Sequence, residues 1–264
     1  MTTPVGTNSD SAYWSRRGRM IRRAVFHPRI AAHKKDVHLR LCRSWAPVLE
    51  GRRILKTDLF EEAFGEDALL DELDRRSGCA VGIEISPWTA ARAKGRFLAL
   101  PILSGNVARL PFRSAAFDLI FSNSTLDHLQ PTEVEKALVE FARVLKPGGL
   151  LILTLDNKHN PLHVFSHWAR RLFGWFYTDR CYTVEEAREA VGRAGFRVTE
   201  ATAVFHVPFP LNFMVKKASP LLGPRLDPCL DRLLLALDRG ERRPTRFLTG
   251  RHIALRAVRK EGRP

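Results

Sequence analysis

Cysteine is scarce in this 264-residue chain: there are four, and Cys42, Cys79, Cys181 and Cys229 form neither a CxxC pair nor any other metal-ligand spacing. That excludes a disulfide scaffold and a thiolate metal module, and it fits reduced, mostly buried thiols. Long apolar runs are absent too, since none reaches the ~20 residues needed to span a bilayer. The N-terminus is polar and then strongly basic, without the apolar segment of a secretory leader. No internal repeat and no second domain are visible. The expectation is a cytoplasmic protein.

Positive charge is what the chain has in excess. The net charge is +15, and it is unevenly spread. Residues 1–53 carry 12 Lys/Arg against 3 Asp/Glu, residues 54–160 carry 12 against 15, and residues 161–264 carry 19 against 10. A slightly acidic centre thus lies between two basic flanks. Such flanks suit an anionic partner, whether a phosphorylated substrate, a membrane surface or nucleic acid, or they form an Arg-rich solvated surface. Residues 11–48 read as two helices broken near His27-Pro28. In the first, Met20, Ile21, Ala24 and Val25 make an apolar stripe bordered by Arg16, Arg17, Arg19, Arg22 and Arg23. A basic amphipathic helix of this kind lies on an anionic membrane or packs over its own domain.

The chain is organised around residues 117–157. Asp118–Ser122 is a short apolar run of the kind found in buried parallel strands. Pro131 opens a helix, where its missing N–H costs nothing. Val134, Ala137, Leu138, Phe141 and Leu145 follow at helical spacing. Lys146-Pro147-Gly148-Gly149 stops that helix, and Leu150–Leu155 is the next buried strand. A strand-helix-strand unit of this length is a right-handed crossover between parallel strands.

The segments FDLIFSNSTLDHL and RVLKPGGLLILTL resemble the fourth-to-fifth strand region of class I S-adenosylmethionine (SAM)-dependent methyltransferases, nearest to the small-molecule group that includes the quinone-biosynthesis C-methyltransferases. The resemblance covers roughly residues 52–160 and continues more weakly to the end. It implies an α/β, Rossmann-like, seven-stranded and mostly parallel sheet with helices on both faces and an antiparallel last strand. N-terminal helices (residues 1–50) would form a basic cap. Residues 51–264 would form the methyltransferase domain, with a helical insertion at about 208–247. The implied activity is methyl transfer from SAM to a small-molecule or lipid-like acceptor.

The resemblance also implies a site. Residues 79–85 form the second strand, and Glu84 at its end, followed by Ile85, would accept hydrogen bonds from the ribose hydroxyls of SAM; a carboxylate offers acceptors only. Asn106 stands where the family places an acid facing the adenine amine, and Val107 would pack on the adenine. Asn123 and Ser124 follow the fourth strand, beside the cofactor. His128 and Asp127 are the catalytic candidates, with His128 as general base. Asp156 and Asn157, at the end of the fifth strand, would orient the acceptor, with Tyr13 and Trp14 from the N-terminal helix as further pocket residues. One motif departs sharply. The family follows its first strand with an acid and GxGxG; here Lys56 takes the acidic place, and KTDLFEEAF has no glycine before Gly65. Thr57, Asp58, Leu59 and Phe60 would then contact SAM. The cluster Asp58, Glu61 and Glu62 either holds its ammonium or sulfonium with carboxylates or marks a degenerate site in an inactive binding module.

Further along, one amphipathic helix is expected over Gly65–Arg76, and Ser86-Pro87 caps the next. His159, His163 and His167 recur every four residues, but Pro161 starts a helix past His159 and nothing nearby completes a ligand set, so no metal is expected. Leu162, Phe165, Trp168, Leu172, Phe173, Trp175, Phe176 and Tyr177 either wall an apolar acceptor pocket or form core. Thr183–Glu186 is a capping box. Asp227-Pro228 caps a helix with Leu230, Leu233, Leu234 and Leu237 on one side. The Asn/Asp-Pro-Pro-aromatic signature of amino-methylating enzymes is missing after the fourth strand, which argues against a nucleic-acid substrate.

Overall fold

The computed structural model describes residues 11–21, 25–162, 164–165 and 180–261. Its centre is a parallel set of strands: β1 (Ile54–Thr57), β2 (Ala80–Glu84), β3 (Ile102–Ser104), β4 (Phe117–Asn123) and β5 (Leu145–Asp156). β6 (Phe196–Val204) and β7 (His252–Arg259) complete a sheet of order β3-β2-β1-β4-β5-β7-β6, in which β7 runs antiparallel to both neighbours. β1 pairs with both β2 and β4. The strand order therefore reverses beside β1, and a ligand crevice forms at such a point outside the carboxyl ends of the strands.

Helices cover both faces. α1 (Ser11–Met20), α2 (Pro28–Trp45), α3 (Phe60–Phe64), α4 (Leu70–Ser77) and α5 (Pro87–Arg96) precede β3. α6 (Pro131–Val144) and α7 (Val184–Arg193) follow β4 and β5 in turn. α2 packs Ile30, Val37, Leu41 and Cys42 into the same apolar cluster as β1 and α4, while α6 and α7 close a second cluster on the other face. The expected local signals hold. Ser86 Oγ accepts the Thr89 N–H at 3.1 Å, and Thr183 with Glu186 makes a reciprocal capping box.

Four local readings are corrected. The helix expected over 65–76 begins only at Leu70, as α4, and a separate short helix, α3, ends at Phe64 with Gly65 extended after it. The Lys146–Gly149 segment already belongs to β5: Leu145 pairs with Phe117, and a bulge containing Gly148 at φ +71° resets the register to Leu119–Leu150. α9 (Leu226–Asp238) starts before Asp227, whose carboxylate accepts from Arg29 at 2.9 Å rather than capping the helix. On that helix Leu230 and Leu234 are buried while Leu233 is 43% exposed. The insertion also contains α8 (Phe209–Leu222) and a one-turn α10 (Arg246–Thr249). His163, His167, Ala24 and the aromatic residues 168–177 lie outside the described residues. Among the described residues no helix is long and apolar enough to cross a membrane.

Candidate functional site

A cavity of about 520 Å³ opens at the carboxyl ends of β1, β2, β4 and β5. Its lining includes Trp14, Asp58, Phe60, Glu84, Ile85, Val107, Asn123, Ser124, Asp127, His128 and Asp156, so the fold brings together eleven of the residues singled out from sequence. α1 lies across its mouth. Gly18 lets that helix approach α5, where a β-carbon would meet Thr89 and Trp88 at 3.0 Å. Ser15 bonds Ser86 at 3.1 Å, and the Trp14 ring stands 5.2 Å from that of His128.

The floor of the cavity replaces a glycine loop with buried charge. Lys56 has no exposed surface; its ammonium donates to the Asp58 carbonyl and to Glu62 at 3.0 Å, with Glu61 at 3.9 Å. The other Glu62 oxygen accepts the N–H groups of Leu69 and Leu70, both at 3.0 Å, and so caps the start of α4. Lys34, on the apolar face of α2, donates to Glu61 and Asp67, each at 2.8 Å. Burial opposes the charge on Glu61, yet Lys34 and Lys56 overcome it and hold the carboxyl down at about 2. Glu61 and Glu62 are thus committed to lysines and backbone, contrary to the idea that both are available to a ligand.

Asp58 and Glu84 differ from that pair, because neither forms an ion pair among the described residues. Asp58 sits at φ +63°, and its carboxylate accepts the Phe60 N–H at 2.8 Å. Asp tolerates this left-handed backbone better than most residues. Glu84 accepts from Leu59 N at 2.9 Å and Ser86 N at 2.9 Å. Burial, then the neighbouring Glu61, pushes the Asp58 carboxyl up to about 6, against the pull of Lys56 and His128. Burial, then Asp58, pushes Glu84 up to about 8. Two carboxyls held reluctant to ionise and facing one cavity favour a cationic ligand, which restores their charged forms. Ile85 and Val107 supply apolar wall. This donor set fits SAM, with its ammonium, sulfonium, ribose hydroxyls and flat adenine.

Five expected residues do not line the cavity. Thr57 is buried beneath it, bonded to Ser122 at 3.0 Å and Thr125 at 2.7 Å. Leu59 is fully buried and contributes its N–H to Glu84. Asn106 turns into its own loop, where Oδ1 accepts the Ala108 N–H at 2.8 Å. Tyr13 stands edge-on to Trp14 at 5.3 Å. Asn157 is buried facing away: its amide donates to the carbonyls of Phe247 and Gly250 at 2.6 and 2.7 Å, fastening the chain before β7 to the end of β5. Asp127 reaches the wall, but one oxygen accepts the Asp156 N–H at 3.0 Å, so it positions the end of β5.

The sequence reading missed Lys34, Arg251 and His252, all of which line the cavity. Ser124, at φ +45°, bonds His252 Nδ1 at 3.0 Å, and the other ring nitrogen lies 4.0 Å from Asp156. His252 faces Asp156 because the two are register partners across β5 and β7.

The Methyltransferase domain family matches residues 61–153, beginning inside the glycine-free stretch. The chain is 28% identical over 156 residues to a probable S-adenosylmethionine-dependent methyltransferase of Mycolicibacterium smegmatis, a match covering 59% of this chain and 56% of that protein. It is 30% identical over 180 residues to a malonyl-acyl-carrier-protein O-methyltransferase of Geobacter sulfurreducens, covering 64% and 65%. These matches span less than two thirds of the relatives' own length. Among solved structures, geranyl diphosphate C-methyltransferase from Streptomyces coelicolor superposes with a TM-score of 0.61 at 14% identity over 98% of this chain and 99% of that one, a likeness of fold.

Proposed function

We propose that this chain, which belongs to the class I SAM-dependent methyltransferase family, transfers a methyl group to a small-molecule acceptor at the cavity above β1 and β4. The observation that carries the reading is the pair Asp58 and Glu84, two carboxyls without an ion-pair partner among the described residues, at the strand-order reversal. When bound, SAM supplies a methyl group already activated by its sulfonium. Glu84 receives the ribose hydroxyls, since each of its oxygens keeps a lone pair beyond the backbone N–H it already accepts. Asp58 takes the role that backbone has in a glycine loop and faces the cationic end of the donor. Val107 and Ile85 bound the adenine. Asn106 is left out of this assignment because its oxygen serves its own turn.

On the acceptor side, His128 and His252 are the groups able to take a proton, and Asp156 with Ser124 holds the His252 ring. Positioning does most of the work in such a transfer. α1 covers the mouth and excludes water, with Trp14 and Arg17 in the lining. This reading spends the basic helix on its own domain rather than on a membrane surface. The test is Glu84→Ala. A variant that folds but binds SAM at least tenfold more weakly supports the assignment, and undiminished binding overturns it.

A further inference from the structure

A second cavity, of about 430 Å³, lies beside the first, between the ends of β6 and β7 and the insertion. It falls in the range of small-molecule sites. Its walls are apolar: Val207, Pro208, Leu237 and Leu248, with Leu162 at one side. Three of its neutral polar side chains, His206, Thr249 and Asn160, are already bonded within the protein. His206 bonds Thr249 Oγ1 at 2.8 Å and the Ala203 carbonyl at 3.3 Å, and Asn160 donates to the carbonyls of Thr249 and Gly250 at 3.0 and 3.2 Å. Two arginines, Arg243 and Arg251, belong to the described lining, and no carboxylate does. The first cavity has the opposite bias, with Asp58, Glu61, Glu84, Asp127 and Asp156 in its wall.

Arg251 lines both cavities. Its backbone is pinned on each side: its N–H donates to the Phe205 carbonyl at 3.1 Å, and its carbonyl accepts from Asn157 N at 3.0 Å. Its guanidinium stands 5.8 Å from the Phe26 ring centre. Phe205 is fully buried and adopts φ +58°, which a bulky residue rarely does. Its ring packs edge-on against Phe26 and His252, each at 6.0 Å, while the next residues, His206 and Val207, line the second cavity. The strained turn thus packs Phe205 against Phe26 and His252 of the first lining while the residues after it line the second, and Arg251 is common to both.

We propose that the second cavity holds the apolar chain of an amphipathic acceptor, and that Arg251 pairs with the acceptor's anionic head at the wall shared with the donor cavity. This rests on the first cavity being the donor site. An apolar chain gains by leaving water for such walls, and a carboxylate or phosphate head gains a forked partner in arginine. In the described lining of this cavity a cationic amphiphile meets two arginines and no acid, so the class is anionic.

The test is saturable binding of dodecanoate to the full chain, with 1-dodecanol and dodecyltrimethylammonium as comparators, each below its aggregation limit. We expect dodecanoate to bind at least tenfold more tightly than the cationic amphiphile. Arg251→Gln should weaken dodecanoate about tenfold or more and change dodecanol by less than about threefold. Ala236→Trp, placed on the lining from exposed α9, should weaken both chains at least tenfold and leave SAM affinity unchanged. Absence of saturable dodecanoate binding, or wild-type binding by Ala236→Trp, overturns the proposal. SAM titration of the same preparations separates the two readings: loss of SAM binding with dodecanoate retained defeats the donor assignment alone.

Discussion

Lys56→Met removes one ammonium from a site with no solvent access. The methionine fills similar volume, so the change is mainly one of charge. Glu62, also fully buried, loses its partner at 3.0 Å, and Glu61 loses one of two lysines. Breaking a buried pair by removing one partner costs about 3–5 kcal/mol, because the remaining charge has neither water nor a counter-ion. Glu61 keeps Lys34, so most of the loss falls on Glu62. For a chain of this size that is a fall in Tm of roughly 10 °C. The double variant carries the diagnosis, because removing both members leaves no buried charge without its partner. The assay is thermal unfolding of wild type, Lys56→Met and Lys56→Met/Glu62→Gln at pH 7.5. The double variant should recover part of the loss. Equal stability of Lys56→Met and wild type at pH 7.5 refutes the argument that this charge cluster supports the floor of the cavity.

The raised Asp58 and Glu84 carboxyls predict that ligand-free protein loses stability as pH rises from about 4 through about 6 and on to about 8, since ionisation is disfavoured in the fold. A cationic ligand reverses the bias, so the rise in Tm on adding SAM should be larger at pH 8 than at pH 6; an equal rise at both counts against it. Asp58→Asn keeps a side chain suited to φ +63° and should weaken SAM by about 10–100-fold, the value of a charge-assisted contact of about 1.5–3 kcal/mol. S-adenosylhomocysteine, which lacks the sulfonium charge, should lose less in the same calorimetric titration. Asn157→Ala, by leaving the Phe247 carbonyl without its donor and the Gly250 carbonyl to Asn160 alone, should cost about 1–3 kcal/mol in thermal unfolding and leave SAM affinity unchanged; a reduced affinity would return Asn157 to the pocket.

The sheet was legible because its signals are local. Apolar strand runs, the Pro131 start, the Ser86-Pro87 cap and the Thr183 capping box act within a few residues of themselves. The loop after β1 was not, because what shapes it is distant. α4 begins where it does because the Glu62 carboxylate accepts from Leu69 and Leu70, and Glu61 is claimed by a lysine 27 positions earlier. One clue was present, since Lys34 sits four residues after Ile30 and three before Val37 on a face otherwise apolar. A lysine there needs a buried acid. His252 and Arg251 were missed because β7 reaches the site only by inserting between β5 and β6. The expected antiparallel last strand contained that information, as its first residue must lie opposite the end of β5. Asn157 misled because strand-end position fixes where a residue begins and not which way its amide turns.

The central claim is that this glycine-free loop is part of a working SAM site. Its most direct test is calorimetric titration of the full chain with SAM and S-adenosylhomocysteine at pH 7.5. The account predicts one-to-one binding of both at micromolar concentrations, with SAM the tighter of the two. No heat of binding for either at millimolar ligand would contradict it.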